Sequence, residues 1–314
     1  MLTDDQKAKF WRDGAIVIND VIQPEELDRL RGAANELSDE LEKASVDEIT
    51  IHLQELTTRN VAFRDLAKSP MLVSRVASLL GPNLQIHHSK LGAKPAFQGK
   101  GGICWHQDFP FFPHTNTSLV AVMVMLDDST PQNGCMYVVR GSHKLGPLDH
   151  HLDGWFTSCC QEALPKDVIP EDESGLLAVT PLAGGISIHH CLALHMSPPN
   201  CTDLPRRGLI FQYRAADAHA LAGSLPPDCG WQVSGIYDGH VRCEQAIWKL
   251  PKKFNKPLGV SEIGYGQAWN QLGAKAKDWN PPLEAVSKHA RAVNFALPAG
   301  EHPSLPGLIE KLTR

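Results

Sequence analysis

The sequence has no long run of apolar residues and no dense cluster of basic residues. A membrane-spanning helix needs about 20 predominantly apolar residues, so we expect no membrane partner. Nucleic-acid-binding surfaces need clustered Lys and Arg, whereas this chain has a formal net charge of −5 and its densest basic stretch, residues 249–256, is short. These absences favour a protein that acts on a small molecule, without a nucleic-acid partner.

The eight cysteines include no Cys-x-x-Cys pair. The first residues are polar and acidic, without the charged and then apolar segments of a secretory signal. We therefore predict a cytoplasmic protein whose thiols are reduced. A homodimer is an open alternative to a monomer.

The chain has no internal repeat and no low-complexity tract, and we predict a single domain over residues 1–314. Its first part, residues 1–83, has apolar residues at helical spacing and is predicted to form a helical layer. The predicted elements of this layer are helices over 3–12, 24–43 and 61–80 and a strand over 15–18.

Residues 84–220 have a different pattern, in which short apolar runs are separated by Gly, Pro, Asn and Asp. This pattern is typical of a β-sandwich or barrel, so the predicted fold class is mainly β with flanking helices. Residues 146–180 are predicted to form an insertion between strands, with His150 and His151 at the surface. Residues 221–314 are predicted to form an irregular C-terminal cover.

The segment around His106 and Asp108 has the spacing of a metal site. Residues i and i+2 of a strand point to the same face, so an imidazole nitrogen and a carboxylate oxygen can reach one ion. A second histidine would complete a face of two histidines and one carboxylate, which leaves positions on the metal free for oxygen chemistry. The pair alone is a weak signal in a chain with 15 histidines.

Three histidines, His189, His190 and His195, are candidates for the third ligand. His195 is favoured because Arg206 follows it by eleven residues. A dicarboxylate cosubstrate needs a fixed cation, and the planar guanidinium group can bind a carboxylate through two hydrogen bonds. Ser197 would lie on the same face as His195 in an extended segment and can support the same carboxylate.

Four motifs in a fixed order resemble the phytanoyl-CoA dioxygenase family, over residues 1 to about 220. They comprise an N-terminal segment, an Asn-Gly motif, a Gly-Ser-His-Lys motif, and a distal histidine followed by Ser, Asn and Arg. The motifs lie at residues 2–27, Asn133-Gly134-Cys135-Met136, Arg140-Gly141-Ser142-His143-Lys144, and His195-Met196-Ser197 to Asn200 with Arg206.

The resemblance implies a double-stranded β-helix, or cupin-like jelly roll. It also implies Fe(II) bound by His106, Asp108 and His195, and 2-oxoglutarate bound by Arg206 with Ser197. By the same resemblance, His88 and Lys90 are expected beside the cosubstrate, and the alternative for both is a polar strand edge. Phe109, one residue past a metal ligand, is expected to line the substrate pocket unless it is a core residue.

The expected activity is therefore an Fe(II)- and 2-oxoglutarate-dependent dioxygenase that uses O2 to oxidise a C–H bond of a small molecule, with release of succinate and CO2. Hydroxylation or another oxidation is expected rather than halogenation, because related halogenases lack the carboxylate ligand and Asp108 is present. Desaturation, ring formation and demethylation are open alternatives to hydroxylation. A natural-product intermediate or an amino-acid derivative would suit the site. The alternatives are a cupin-type metalloenzyme that does not use 2-oxoglutarate and a non-catalytic jelly-roll binding protein.

Overall fold

The computed structural model describes the chain in several ranges, with gaps between them. Most of the predicted insertion and of the predicted C-terminal cover lies outside these ranges. The described residues are 1–37, 51–96, 102–152, 155–156, 159–160, 175–222 and 226–251.

Within the described residues, five α-helices lie in the N-terminal part. They are α1 (Asp4–Asp13), α2 (Pro24–Asn35), α3 (Leu56–Arg59), α4 (Val61–Ala67) and α5 (Pro70–Leu80). No helix in these ranges is long and apolar enough to cross a bilayer.

The same ranges contain thirteen strands and two short 3-10 helices. The strands are β1 (Ala15–Ile18), β2 (Ile51–Gln54), β3 (Leu84–Lys94), β4 (Ile103–His106), β5 (Leu119–Met125), β6 (Met136–Val139), β7 (His151–Leu152), β8 (Trp155–Phe156), β9 (Leu176–Val179), β10 (Ile186–His190), β11 (His195–Ser197), β12 (Arg206–Ala215) and β13 (Trp231–Ser234), and the 3-10 helices are Phe109–Phe111 and Ser142–Leu145.

The helix ends follow local chemistry. Thr3 caps α1 through a reciprocal capping box with Gln6, and Gly14 ends it in the left-handed region at φ 85°. The single helix predicted over 61–80 is instead two helices, because Pro70 has no N–H with which to continue a helix and begins α5 as its first residue.

Two antiparallel sheets form the body of the molecule. The larger sheet has the strand order β1-β10-β5-β12-β3-β13, and β2 also pairs with β3. The smaller sheet has the order β4-β11-β6-β9. Neighbouring strands in both sheets are distant in the sequence, which is the strand order of a jelly roll rather than of a simple meander.

The helical layer covers the outer face of the larger sheet. Phe10, Phe63 and Leu72 pack there against Val122 and Phe211, and all five side chains are buried. The hydroxyl of Tyr213 donates to the carbonyl of Ala67 and ties β12 to α4. The inner face of this sheet is therefore free to carry polar side chains.

Three expectations about residues outside the metal site are wrong. Residues 176–179 lie in the predicted insertion but form β9, which pairs with β6. His150 and His151 are buried rather than exposed, because the backbone N–H of Gln107 donates to Nε2 of His150 and His151 bonds Asp149.

The prediction of reduced thiols is wrong for one pair of cysteines. Cys104 and Cys159 form a disulfide that joins β4 to the segment 159–160. The backbone N–H of Cys160 also donates to the carbonyl of Trp105. The short range 159–160 is therefore fastened beside the strand that ends at His106.

Candidate metal and cosubstrate site

His106, Asp108 and His195 come together between the two sheets. One ligand atom from each residue lies within 4.8 Å of the others. Within the described ranges, this is the one group of three or more His, Cys, Asp or Glu side chains that could hold a metal ion. Oδ1 of Asp108 is 3.9 Å from Nε2 of His106 and 3.9 Å from Nε2 of His195. The two histidines are direct partners on β4 and β11, which explains why their rings lie side by side.

Both imidazoles are held in the orientation that a metal site requires. Nδ1 of His106 bonds the carbonyl of Cys104 at 2.8 Å, and Nδ1 of His195 bonds the carbonyl of Ala193 at 2.8 Å. A carbonyl only accepts hydrogen bonds, so each Nδ1 carries the proton. Each Nε2 is then an unprotonated lone pair that faces the cluster.

Asp108 reaches the cluster from outside the strand. β4 ends at His106, and Asp108 has helical backbone angles, φ −70° and ψ −40°, at the start of the 3-10 helix Phe109–Phe111. The spacing of His106 and Asp108 predicts one strand for both ligands, and this is wrong for Asp108. The carboxylate nevertheless faces the same point as His106, because the turn after the strand brings it back toward the imidazoles.

The second oxygen of Asp108 is held by the larger sheet. The amide nitrogen Nε2 of Gln212 donates to Oδ2 at 2.6 Å, and Nε2 of His189 lies 3.2 Å from the same oxygen. Burial opposes ionisation of Asp108, but the hydrogen bond with His189 and the charge of Lys90 outweigh it and hold the pKa of this carboxyl well below its usual range. Asp108 is therefore ionised, with Oδ1 directed at the two imidazoles.

The register of the larger sheet arranges its inner face in rows, because directly paired residues lie on the same face. The first row lies beside Asp108 and contains His189, Ala121, Gln212 and His88. The second row contains Ser187, Met123, Ile210, Lys90 and Gln54. The third contains Met125, Gly208, Gly92 and His52, and the fourth contains Arg206 and Lys94.

A register shift makes this arrangement possible. Gln212 pairs with His88 while Tyr213 pairs with Ile86, so His87 is an extra residue in β3. Ile86 faces the helical layer before the shift, and His88, Lys90 and Lys94 face the inside after it. The predicted cosubstrate residues of β3 therefore lie on the inner face.

Arg206 and Ser197 lie at the far end of these rows. Arg206 pairs with Lys94 across β12 and β3, and Nζ of Lys94 donates to the carbonyls of Ser197, at 3.4 Å, and Pro198, at 2.6 Å. Lys94 thus joins the strand end that carries Arg206 to the segment that carries Ser197. Burial lowers the pKa of Arg206 to about 10, so its guanidinium group is charged at neutral pH.

Unpaired atoms mark this end as a place for a carboxylate. Nε of Arg206 and Oγ of Ser197 are buried, and neither has a hydrogen-bond partner within the described part of the chain. Buried polar groups in proteins are almost always hydrogen-bonded, so both atoms fit a ligand that accepts hydrogen bonds. The two-histidine, one-carboxylate donor set likewise fits Fe(II), and the residues present fit the predicted metal and cosubstrate.

His88 and Lys90 occupy the two rows nearest to Asp108. Burial, opposed by Asp108, lowers the pKa of Lys90, and burial with the charge of Lys90 lowers the pKa of His88 to about 3. His88 is therefore neutral. His52 shares the inner face with Lys90 because β2 pairs with β3. It was not predicted as a site residue, because no strand was predicted there.

The aromatic residues after Asp108 point in different directions. Phe109 is buried in an apolar cluster and lies edge-on to Trp248, with ring centroids 5.0 Å apart. Phe111 instead stands against His106, with ring centroids 5.7 Å apart, and also against Phe156. The ring beside the metal ligands is therefore that of Phe111.

Known proteins resemble this chain along most of the described fold. The profile of the phytanoyl-CoA dioxygenase (PhyH) family matches residues 10–208. The chain is 30% identical to the ectoine dioxygenase of Sphingopyxis alaskensis over 67% of this chain and 75% of that protein. It is 34% identical to a probable alpha-ketoglutarate-dependent hypophosphite dioxygenase of Stutzerimonas stutzeri over 52% of this chain, a match that spans about half (56%) of that protein.

A solved structure resembles most of this chain. The crystal structure of the Sphingopyxis alaskensis enzyme EctD with 2-oxoglutarate and 5-hydroxyectoine aligns with a TM-score of 0.57 and 25% identity, over 73% of this chain and 87% of that one. This likeness confirms the predicted jelly-roll fold, and the named relatives confirm the predicted enzyme class, a 2-oxoglutarate-dependent non-haem iron dioxygenase. The chain belongs to the phytanoyl-CoA dioxygenase family.

Proposed function

We propose that this chain binds Fe(II) through His106, Asp108 and His195 and uses 2-oxoglutarate and O2 to hydroxylate a small molecule. The observation that carries the proposal is the cluster itself, in which Oδ1 of Asp108 is 3.9 Å from each Nε2 and both Nδ1 atoms are already bonded to carbonyls. Three protein ligands leave the remaining positions on the metal for other molecules.

The residues around the ligands have separate tasks in this proposal. Gln212 and His189 bind Oδ2 of Asp108 and keep Oδ1 directed at the metal position. Arg206 and Ser197 bind the distal carboxylate of 2-oxoglutarate. The adjacent glycines of the third row, Gly208 and Gly92, lie between Arg206 and the rows near the metal, and the side chains of Met123, Met125 and Ile210 pack over them.

When bound, iron and 2-oxoglutarate supply the oxidising chemistry: O2, 2-oxoglutarate and a substrate C–H bond give succinate, CO2 and an alcohol. The protein orients the reactants and limits the access of water. The ring of Phe111 covers one side of His106, and the ring of Phe156 packs behind it. Lys90 and His88, in the rows nearest to Asp108, are proposed to face the cosubstrate.

The relatives act on ectoine and on hypophosphite, according to their names. Both compounds are small and polar. We propose a small polar substrate for this chain also, because the inner face near the metal carries the polar side chains of His88, Lys90 and Gln212 beside the apolar side chains of Met123 and Ile210.

Formation of succinate tests the proposed function. Protein supplied with Fe(II), 2-oxoglutarate and air should form succinate slowly even without its substrate, and Asp108→Ala should abolish this reaction. His240→Ala is the matched control, because His240 is an exposed histidine beside Asp238. Iron binding without succinate would favour a metalloenzyme that does not use 2-oxoglutarate, and absence of iron binding would favour a binding protein.

A further inference from the structure

A second cluster of polar side chains lies at the same end of the jelly roll as the metal ligands. It consists of His87, His114 and Arg214 and is called the mouth cluster below. Their exposed fractions are 1%, 0% and 6%. Arg214 lies close enough to both rings that its charge, added to the effect of burial, lowers the pKa of His87 and of His114. The rings of His87 and His114 are 4.9 Å apart, and Phe112 stacks on His87 at 4.6 Å.

The mouth cluster is adjacent to the proposed iron site and distant from Arg206. Arg214 follows Gln212 by two residues on β12, a step of about 7 Å along a strand, and Gln212 touches Asp108. His87 precedes His88, which lies in the first row, and Nδ1 of His87 is 2.7 Å from Nδ1 of His88. Arg206 and the mouth cluster thus lie on opposite sides of the metal ligands along the sheet.

Each member of the cluster has a buried polar atom that has no hydrogen-bond partner among the residues that the structure describes. These atoms are Nε2 of His87, Nε2 of His114 and Nε of Arg214. Nδ1 of His114 donates to the carbonyl of Phe112 at 2.6 Å, so its Nε2 is a bare acceptor. Burial lowers the pKa of His114 to about 4, which keeps that ring neutral. The cluster therefore offers both donors and an acceptor.

Arg214 carries a buried charge, and no carboxylate of the described ranges lies beside it. In the described ranges its hydrogen-bond partner is the carbonyl of Ala218, and the groups that act on its charge are Cys229 and Tyr237. An uncompensated buried charge is strongly destabilising, whereas Arg207 on the opposite face of the same strand is paired with Asp127. A ligand with negative charge would compensate Arg214.

The charges of the inner face support the same conclusion. On the inner face, Arg206 and Arg214 are positively charged, and Lys90 and Lys94 add basic groups. Among the described residues, Asp108 is the one carboxylate that faces them. Fe(II) and the 2-oxoglutarate dianion contribute opposite charges of equal size. Even with both lysines neutral, one positive charge remains uncompensated after the metal and the cosubstrate have bound.

On this basis we propose that the mouth cluster binds an oxyanion group of the substrate, with Arg214 as its principal donor and His87 and His114 beside it. The inference rests on the proposed function and adds a substrate class to it: a small compound with a phosphorus oxyanion or a carboxylate. An acidic O–H on that group would donate to Nε2 of His114. The substrate bond that is oxidised would then lie between the bound oxyanion group and the metal, on the side of the mouth cluster where Gln212 lies.

Anaerobic titration calorimetry of the protein loaded with Fe(II) and saturated with 2-oxoglutarate tests this site without turnover. The probes are hypophosphite and methylphosphonate for phosphorus oxyanions, acetate for carboxylates, and neutral acetamide. At least one anion should bind while acetamide does not, and the stronger class identifies the source of the oxyanion. Arg214→Gln should weaken that binding about tenfold or more, since hydrogen bonds to charged groups are strong.

Arg207→Gln is the matched control, because Arg207 lies on the same strand but on the outer face of the sheet, where it is bonded to Asp127. If Arg214→Gln loses its near-ultraviolet circular dichroism, Arg214→Lys is used in its place. Arg214→Lys should also weaken binding, because an ammonium group cannot form the two parallel hydrogen bonds of a planar guanidinium group. Equal affinity in wild type and either folded variant, or no binding of any anion, overturns the inference. A wild-type protein that fails to bind 2-oxoglutarate with Fe(II) refutes the proposed function instead, and this is recorded before the anions are added.

Discussion

The side-chain amide of Gln212 donates a 2.6 Å hydrogen bond to Oδ2 of Asp108, across 104 residues of sequence. His189 lies 3.2 Å from the same oxygen. The larger sheet thus fixes the orientation of a carboxylate that comes from the loop after β4.

Gln212→Ala should weaken Fe(II) binding roughly 10- to 100-fold, as is usual when a partner that orients a metal ligand is removed. The dissociation constant for Fe(II), measured anaerobically by competition with a chelator, checks this. Gln232→Ala is the control, because Gln232 bonds Gln85 at the sheet edge away from Asp108. Unchanged iron affinity in a folded Gln212→Ala protein would show that Asp108 needs no such support.

Arg206→Ala should raise the concentration of 2-oxoglutarate that gives half-maximal binding by about 10- to 100-fold. The reason is the loss of charged hydrogen bonds worth roughly 1.5–3 kcal/mol. Arg207→Ala, one residue further and on the other face with Asp127, should leave this concentration unchanged. An equal effect of the two substitutions would place the cosubstrate carboxylate elsewhere, with Lys90 as the next residue to test.

Reduction of the Cys104–Cys159 disulfide should destabilise the protein. The bridge closes a loop with a sequence separation of 55, for which loop-closure entropy gives about 4 kcal/mol. Peptide mapping of protein purified without reductant should find the linked pair, and Cys104→Ser should lower the free energy of unfolding. Cys243→Ser, at an exposed free cysteine, is the control. Complete alkylation of all eight cysteines without reductant would contradict the pairing.

Gly134→Ala should destabilise the fold more than Gly141→Ala. Both glycines have positive φ, 79° and 75°, which costs an L-residue about 1–2 kcal/mol. A Cβ at Gly134 would also collide with the carbonyls of Pro198 and Pro199, whereas a Cβ at Gly141 would meet the carbonyl of Arg12 at an ordinary contact distance of 3.5 Å. Urea unfolding should therefore give a larger loss for Gly134→Ala, and equal losses would mean that segment 198–199 moves aside freely.

Local spacing explains which parts of the site could be predicted. His106 and Asp108 are two residues apart, and Arg206 follows His195 by eleven residues, so these residues could be identified without knowledge of the strand order. The strand β1 was predicted at its observed bounds because Ala15–Ile18 is a compact β-branched run. Four ordered motifs were enough to identify the family and the fold.

The supporting residues could not be predicted because their contacts depend on strand pairing. Gln212 reaches Asp108 through the register of β12, and the extra residue His87 decides which face of β3 carries His88 and Lys90. β2 has no strong sequence pattern and was missed, together with His52. The disulfide joins a strand to a polar segment whose position no sequence pattern indicated.

The most direct test of the central claim is an anaerobic spectrum of the protein with Fe(II) and 2-oxoglutarate. The account predicts a weak visible metal-to-ligand charge-transfer band for wild type, no band for His106→Ala, and a band for Arg206→Ala that appears at higher 2-oxoglutarate concentration. A wild-type protein that binds Fe(II) but shows no band at any 2-oxoglutarate concentration would contradict the account.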